Sequence, residues 1–289
     1  KYLFISLLCC FAFLVFDGFF QYITGANILG FPKYGVRVSS VFENEFIYGS
    51  YLSRLMPTLI ALFFLSDLQK KRYIFSFFWF LIIMTILATF LSAERAAFFL
   101  TLLSCIYLTI MINKFSKYFL IIFSTALILI TIVTLQNKEI KTRMIDLTKE
   151  QIGLNKKNKS GNTSLYKGHF LIAGDLFKSN KFIGVGPKNY RKHCSNDEKY
   201  SKPPYVCSTH PHNTYIQLLA ETGMTGFLMI FGLFIFFSFH SAKHIFLKLF
   251  QKKETFDLPK ICIMSSILIS LWPFVSTGSF FNNYINIIY

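Results

Sequence analysis

Stretches of about 20 apolar residues recur along this chain, and the recurrence limits the fold more than any single motif does. Seven can be marked, at residues 3–23, 46–66, 73–91, 96–112, 118–135, 223–239 and 261–277. Runs such as "IFSFFWFLIIM", in a chain with 36 Phe, suit lipid-facing and helix-packing surface. A soluble domain would need a polar coat over such a core, yet charged residues are 15% of the chain against 53% hydrophobic. Mean hydropathy is +0.47. The expected fold class is all-α: a polytopic transmembrane helical bundle with a large, partly helical loop between spans five and six. Residues 1–135 would carry five spans, 136–222 the loop, and 223–289 the C-terminal spans. The first span could also be read as a signal peptide, but its length, Asp17 and the lack of a small-residue cleavage pattern argue for a span. The Lys at the start and "NNYINIIY" at the end suggest a piece of something longer.

Orientation follows from the short loops. "LQKKRY", "NKFSKY" and "HSAKHIFLKLFQKKETFDLPK" are rich in Lys and Arg, and alternation puts all three on one side, read as the cytoplasm. The long loop is then external. It too is basic, with Lys138, Lys141, Arg143, Lys156, Lys157 and Lys159, but long loops translocate largely regardless of charge. The net charge of +16 is therefore partly a topological signal. The remainder is either a solvated lysine-rich loop or a surface for anionic headgroups or a phosphorylated substrate. Nucleic acid is excluded as a partner, because no base-stacking platform accompanies the charge.

Four cysteines, Cys9, Cys10, Cys105 and Cys262, lie in apolar spans, where Cys acts as a small hydrophobe. Cys194 and Cys207 share the long loop. Outside the cytoplasm they are expected to form a disulfide. A zinc site with His210 and His212 is the alternative, although the spacing fits no common pattern.

Within the long loop, "SGNTSLYKGHFLIAGDLFKSN" has the spacing of an amphipathic helix. In "FIGVGPKNYR", Gly184, Gly186 and Pro187 force an irregular turn that sets Lys188 near Arg191, a pairing suited to an anion. The stretch "HPHNTYIQLLAETGMTG" (210–226) follows. Pro211 extends the backbone before His212, Asn213 is a good N-cap for a helix from Thr214, and Gly223 and Gly226 permit a bend. His212 would sit at a helix N-terminus at the membrane surface, able to accept a proton beside donors suited to a phosphate. The alternative is that both histidines are interfacial packing or capping residues. Glu221 is open between a cation partner and a polar helix face. In "SAERAAFFL", Arg95 lies at the tip of a helical hairpin. Such an arginine needs a partner, which is either Glu94 or a substrate pyrophosphate. Arg37, in "RVSSVFENE", is also external.

Taken in order, "RVSSVFENE", "ERAAFF", "FIGVGPKNYR" and "HPHNTYIQLLAETGMTG" resemble the O-antigen ligase and O-antigen polymerase superfamily of bacterial membrane glycosyltransferases, over about residues 35–240. The resemblance implies an enzyme of the inner membrane with its active site facing the periplasm. The substrates it implies are an undecaprenyl-pyrophosphate-linked glycan and an acceptor that is lipid A–core, a growing glycan or protein. The lipid bilayer is a further partner, and no metal or cofactor is implied. The family's hairpin arginine falls on Arg95, and its histidine before Asn falls on His212. These are the expected catalytic residues. Arg37, Lys188, His210 and Asn213 are expected to bind substrate. The family often places an arginine early in the loop's amphipathic helix. Here "LYKGHF" has Lys167 and His169 instead, so Lys167 or Arg191 is expected to take that place. A transporter or flippase for an anionic lipid-linked glycan is the competing class. Against it, charge inside the spans is nearly absent apart from Asp17, and the halves show no repeated hydropathy pattern.

Overall fold

The computed structural model describes residues 1–112, 116–151, 162–252 and 255–281, of which 116, 150–151 and 162–165 are described by their backbone alone. The architecture is helical. In chain order the helices are α1 (Tyr2–Thr24), α2 (Tyr48–Leu65), α3 (Arg72–Leu91), α4 (Arg95–Met111), α5 (Ser116–Gln136), α6 (Lys138–Lys141), α7 (Leu147–Gln151), α8 (Asn162–Ser179), α9 (Tyr190–Asn196), α10 (Thr214–Gln251) and α11 (Leu258–Ser270). A π-helical turn, Thr142–Asp146, links α6 to α7. Among the described residues there is no strand, only isolated bridges such as Ala26 with Pro32. Four helices among the described residues are long and apolar enough to cross a membrane: α1, α3, α5 from Lys117, and α10. Lys156, Lys157 and Lys159, part of the basic loop, lie outside the described residues.

The chain divides into two compact units, one of Lys1–Thr148 with Ser241–Ile269, the other of Lys149–His240 with the residues from Ser270. The first is a bundle with an aromatic centre. Phe63 of α2 stacks on Phe78 of α3, with ring centroids 3.9 Å apart, and Phe4 of α1 leans on both. Several polar side chains within this bundle pair across helices, because neither lipid nor apolar side chains can satisfy them. The Tyr48 hydroxyl of α2 donates to the Leu14 carbonyl of α1 at 3.0 Å, and a side chain at Gly18 would collide with that hydroxyl. Ser104 of α4 meets Ser265 of α11 at 2.9 Å, and Tyr107 meets Ser241 of α10 at 2.9 Å.

Arg54, in the middle of α2, corrects the expectation that Asp17 is nearly alone as a charge within the spans; it is 2% exposed and its Nη1 donates to the Ser50 side chain. Between α1 and α2 the chain is held by Asp17 and Gln21, both fully buried. Asp17 accepts from the Ile28 N–H at 2.9 Å and the Ser40 hydroxyl at 2.5 Å, while Gln21 accepts from the N–H groups of Ser39 and Ser40. The charge expected within span one thus organises the segment that carries Arg37.

The second unit has its own small core of Ile172, Ala173, Leu176, Tyr190, Cys194, Tyr200 and Ala220. Two helix ends differ from the spans read off the sequence. The helix expected from Thr214 is present and bends at Gly223 (φ 64, ψ −159) as expected, but the segment beyond the bend runs past the expected end at 239 to Gln251, through residues expected to form a basic loop. The span expected over 261–277 stops as a helix at Ser270. Pro273 disfavours helical backbone just before it, and residues 271–281 instead find hydrogen-bond partners on the segment 210–217.

Candidate active site

The described residues hold two clusters of chemistry-bearing side chains, one in each unit. In the first unit, the α3–α4 turn places Glu94 as the residue before α4 and Arg95 as its first residue. Ala93, just before, has φ 55, a left-handed backbone. The Glu94 carboxylate accepts from the N–H groups of Gly49 at 2.7 Å and Ser50 at 3.2 Å, so it caps the start of α2. Burial raises the Glu94 pKa to about 7, against the lowering effect of those two N–H groups and of Arg54 and Arg37. The Arg37 guanidinium lies over the Phe46 ring, 4.0 Å from its centroid.

Arg143 joins this group from the π-helical turn. Its Nε donates to the Ala93 carbonyl at 3.1 Å, across 50 positions of sequence. Its pKa is lowered to about 10, first by burial and then by the charges of Arg37 and Arg95. It remains charged at neutral pH. Arg143 thus feels the charges of Arg37 and Arg95 from two other segments, and Arg37 also acts on the Glu94 carboxylate, which burial holds partly neutral. Such a group is suited to an anion with several oxygens. In the sequence Arg143 was one basic loop residue among many, and only the fold brings it to Ala93.

In the second unit, three imidazoles gather. The ring centroids of His210 and His212 are 4.2 Å apart, and those of His169 and His212 are 5.3 Å apart. Tyr166 stands edge-on to His212, centroids 6.2 Å apart. Hydrogen-bond partners fix the tautomers, because a carbonyl can only accept. His169 Nδ1 lies 2.7 Å from the Val206 carbonyl and so carries the proton. His210 Nε2 lies 3.3 Å from the Thr277 carbonyl and is protonated, leaving Nδ1 to accept from the Thr209 hydroxyl at 3.0 Å. The Ser208 hydroxyl donates to the His210 carbonyl at 3.0 Å and lies 3.1 Å from His212 Nε2. With its proton so used, Ser208 receives the Nε2 proton of His212, whose lone pair is then on Nδ1.

The His212 pKa is lowered to about 4, by burial first and then by His210 and His169. His210 is also lowered, chiefly by burial and secondarily by His169 and Arg191. Both are therefore neutral at pH 7, and Arg191 is close enough for its charge to be felt.

The backbone around His212 is built for position. His212 itself has φ 57, a conformation that a non-glycine residue holds only when its surroundings impose it. Asn213 Oδ1 accepts from the N–H groups of Tyr215 at 3.0 Å and Ile216 at 3.1 Å, so it caps α10. Its Nδ2 donates to the Pro273 carbonyl at 2.8 Å. The amide expected to touch substrate is thus engaged at both ends by the protein. Gln217 donates to Glu221 at 2.9 Å, and Glu221 accepts from the Tyr190 N–H at 2.9 Å. Glu221 is 1% exposed and ties α9 to α10.

Of the other sequence candidates, Lys167 is exposed on α8 next to Tyr166, Arg191 is exposed on α9, and Lys188 is exposed with φ 62 in the turn before α9. Cys194 and Cys207 are joined as a disulfide, with Cα atoms 5.5 Å apart. Among the described residues no three His, Cys, Asp or Glu side chains are grouped as metal ligands.

No curated protein matches the sequence. A family model described as O-antigen ligase matches residues 79–231, more than half of the chain, from within α3 to within α10. That interval includes Arg95, Arg143, all three histidines and both loop cysteines. This chain belongs to the O-antigen ligase family.

Proposed function

We propose that the chain transfers a glycan from an undecaprenyl-pyrophosphate carrier to an acceptor hydroxyl at the periplasmic face of the inner membrane. The observation that carries the reading is the state of His212. Its imidazole is neutral at physiological pH, its lone pair is on Nδ1, and its backbone is fixed by a cap on one side and Thr277 on the other. An imidazole held neutral in a fixed position with a lone pair on Nδ1 can accept a proton from an acceptor hydroxyl.

The acceptor oxygen attacks the anomeric carbon of the donor sugar. The bond between that carbon and the pyrophosphate oxygen breaks, and the carrier pyrophosphate leaves with the electron pair. His212 Nδ1 takes the acceptor proton and releases it to solvent. Negative charge grows on the departing pyrophosphate, and guanidiniums stabilise that growth. Arg95, Arg37 and Arg143 are the residues proposed for this role. Arg191, Lys188 and Lys167 are proposed to hold the glycan or its phosphates, and His210 to shape the surroundings of His212. Nothing in this sequence of steps draws on a metal.

The test is transfer from purified carrier-linked glycan in the presence of chelator. Activity that survives chelation and disappears in His212→Ala is the expected result. Full activity in His212→Ala removes the base from the mechanism. Activity that is lost on chelation and restored by zinc replaces the mechanism with a metal-dependent one.

A further inference from the structure

The turn between α8 and α9 presents an apolar tip. Phe182 and Ile183 are 76% and 73% exposed. Scattered apolar residues on a surface need no explanation, but this pair is held in place. The Met224 N–H donates to the Lys181 carbonyl at 2.8 Å, and Thr225 donates to the Phe182 carbonyl through its N–H at 3.2 Å and its hydroxyl at 3.0 Å. The N–H groups of Val185 and Gly186 donate to the carbonyls of Ala220 and Glu221 at 3.0 and 2.9 Å. Gly184 and Gly223 both have positive φ, 65 and 64. A side chain on Gly184 would meet the backbone of Glu221 and Thr222, and one on Gly223 would meet that of Phe182 and Gly184. The turn is therefore locked onto α10 at the point where Gly223 breaks the helix.

That point has a defined level. Gly223, with φ 64 and ψ −159, separates the first turns of α10 from the segment 224–251, whose 28 residues would rise about 42 Å as a helix. The hydrocarbon core of a bilayer is only about 30 Å thick, so part of α10 lies outside it. The turns before Gly223 carry buried, hydrogen-bonded Gln217 and Glu221. Exposed apolar side chains start at Met224 and continue with Leu228 and Met229. Gly223 thus marks where α10 enters the bilayer, and the tip is tied to it there. The tip extends the lipid-facing surface of α10. Lys178 and Lys181, both exposed, flank it with charge opposite to that of anionic headgroups.

We propose that Phe182 and Ile183 insert into the outer lipid interface as a second membrane contact for the unit bearing the histidines, with Lys178 and Lys181 on anionic headgroups. The occupant is the bilayer itself. The proposal rests on the membrane character of the family and not on the chemistry assigned to His212.

The experiment uses the full chain in liposomes containing phosphatidylglycerol, with Trp79 and Trp272 replaced by Phe. Phe182→Trp should show blue-shifted emission, quenching by lipids brominated on the acyl chain, and shielding from aqueous iodide. Lys202→Trp, an exposed control in the same unit, should show the reverse. Iodide quenching of Phe182→Trp equal to that of the control overturns the proposal. So does lipid quenching that vanishes on adding prenyl pyrophosphate, which would identify a single carrier lipid as the occupant. If the tryptophan-free background does not fold, Phe182→Cys in the otherwise native chain gives an independent reading. In liposomes it should react more slowly with a charged maleimide than Lys202→Cys, and equal rates overturn the proposal.

Discussion

The backbone N–H of Thr277 donates to the carbonyl of His212 at 3.0 Å, while the carbonyl of Thr277 lies 3.3 Å from Nε2 of His210. One residue beyond the last described helix therefore positions both histidines. Asn213 adds to this clasp through the Pro273 carbonyl. Its two roles can be separated. Asn213→Asp keeps the oxygen that caps α10 and loses the donor to Pro273, whereas Asn213→Ala loses both. Loss of the cap alone typically costs about 0.5–2 kcal/mol. The expected order of thermal stability is native, then Asp, then Ala, with transfer rate falling in the Asp variant at unchanged membrane insertion. An Asp variant with native activity would mean that the clasp does not position His212.

His212→Ala should lower the transfer rate by about 10²- to 10⁴-fold, the usual range for loss of a general base. His210→Ala should be milder. The lowered pKa of His212, about 4, sets the pH profile. The free enzyme keeps its base neutral down to that region, so kcat/KM should hold through pH 6.5 and fall only well below it. The same shift has a stability sign. The native state binds fewer protons than the unfolded chain between about pH 6.5 and 4, so stability falls as pH drops through that window. An acid limb centred near 6.5 would contradict the buried, crowded imidazole.

Arg95→Ala and Arg143→Ala should each raise KM for the carrier-linked donor and lower the rate, because a phosphate clamp acts on both. Arg95→Lys should recover only part of the activity, since an ammonium lacks the planar fork of a guanidinium. For Arg143→Lys the Nε donor to Ala93 is lost as well, so recovery should be smaller still. Initial rates over a donor titration would show it, and unchanged KM in both alanine variants would remove these arginines from donor binding.

Glu94 predicts a second, opposite pH effect. Its folded pKa is raised by burial from 4.5 to about 7. The native state therefore binds more protons than the unfolded chain between those values, and stability falls as pH rises from about 4.5 to 7. Glu94→Gln keeps an oxygen for Gly49 and should flatten that slope. Thermal unfolding of both forms across the window is the check, and an equal slope in the variant would assign the dependence elsewhere.

The Cys194–Cys207 bridge spans a sequence separation of 13. A crosslink closing a loop of that order typically contributes about 2–4 kcal/mol. Both cysteines should resist alkylation without reductant in the mature protein, as read by mass spectrometry. Cys207→Ser should lower the unfolding temperature while leaving the helices of the first unit unchanged by hydrogen exchange. Free thiols at both positions would count against a disulfide.

Much of the helical skeleton was legible because its cause is local. Apolar side chains at span length define α1, α3, α4 and α5 to within a few residues, and the Asn213 cap acts on N–H groups two and three positions ahead. The bend at Gly223 was legible for the same reason, since the combination of φ 64 with ψ −159 is essentially confined to glycine. Motif order was enough to suggest the family, which the match over residues 79–231 bears out, and it put forward Arg95 and His212 as candidates. What tertiary structure decided are the partners distant in sequence. Glu94 caps a helix that starts nearly fifty residues earlier, Arg143 finds the Ala93 carbonyl, His169 finds Val206, and the chain after Ser270 returns to His212 and does not remain a span. Hydrophobic periodicity reports which residues avoid water, and it carries no information about which buried donor meets which acceptor. That pairing is settled only when the helices pack, because an unmatched polar group away from water costs more than any local preference can offset.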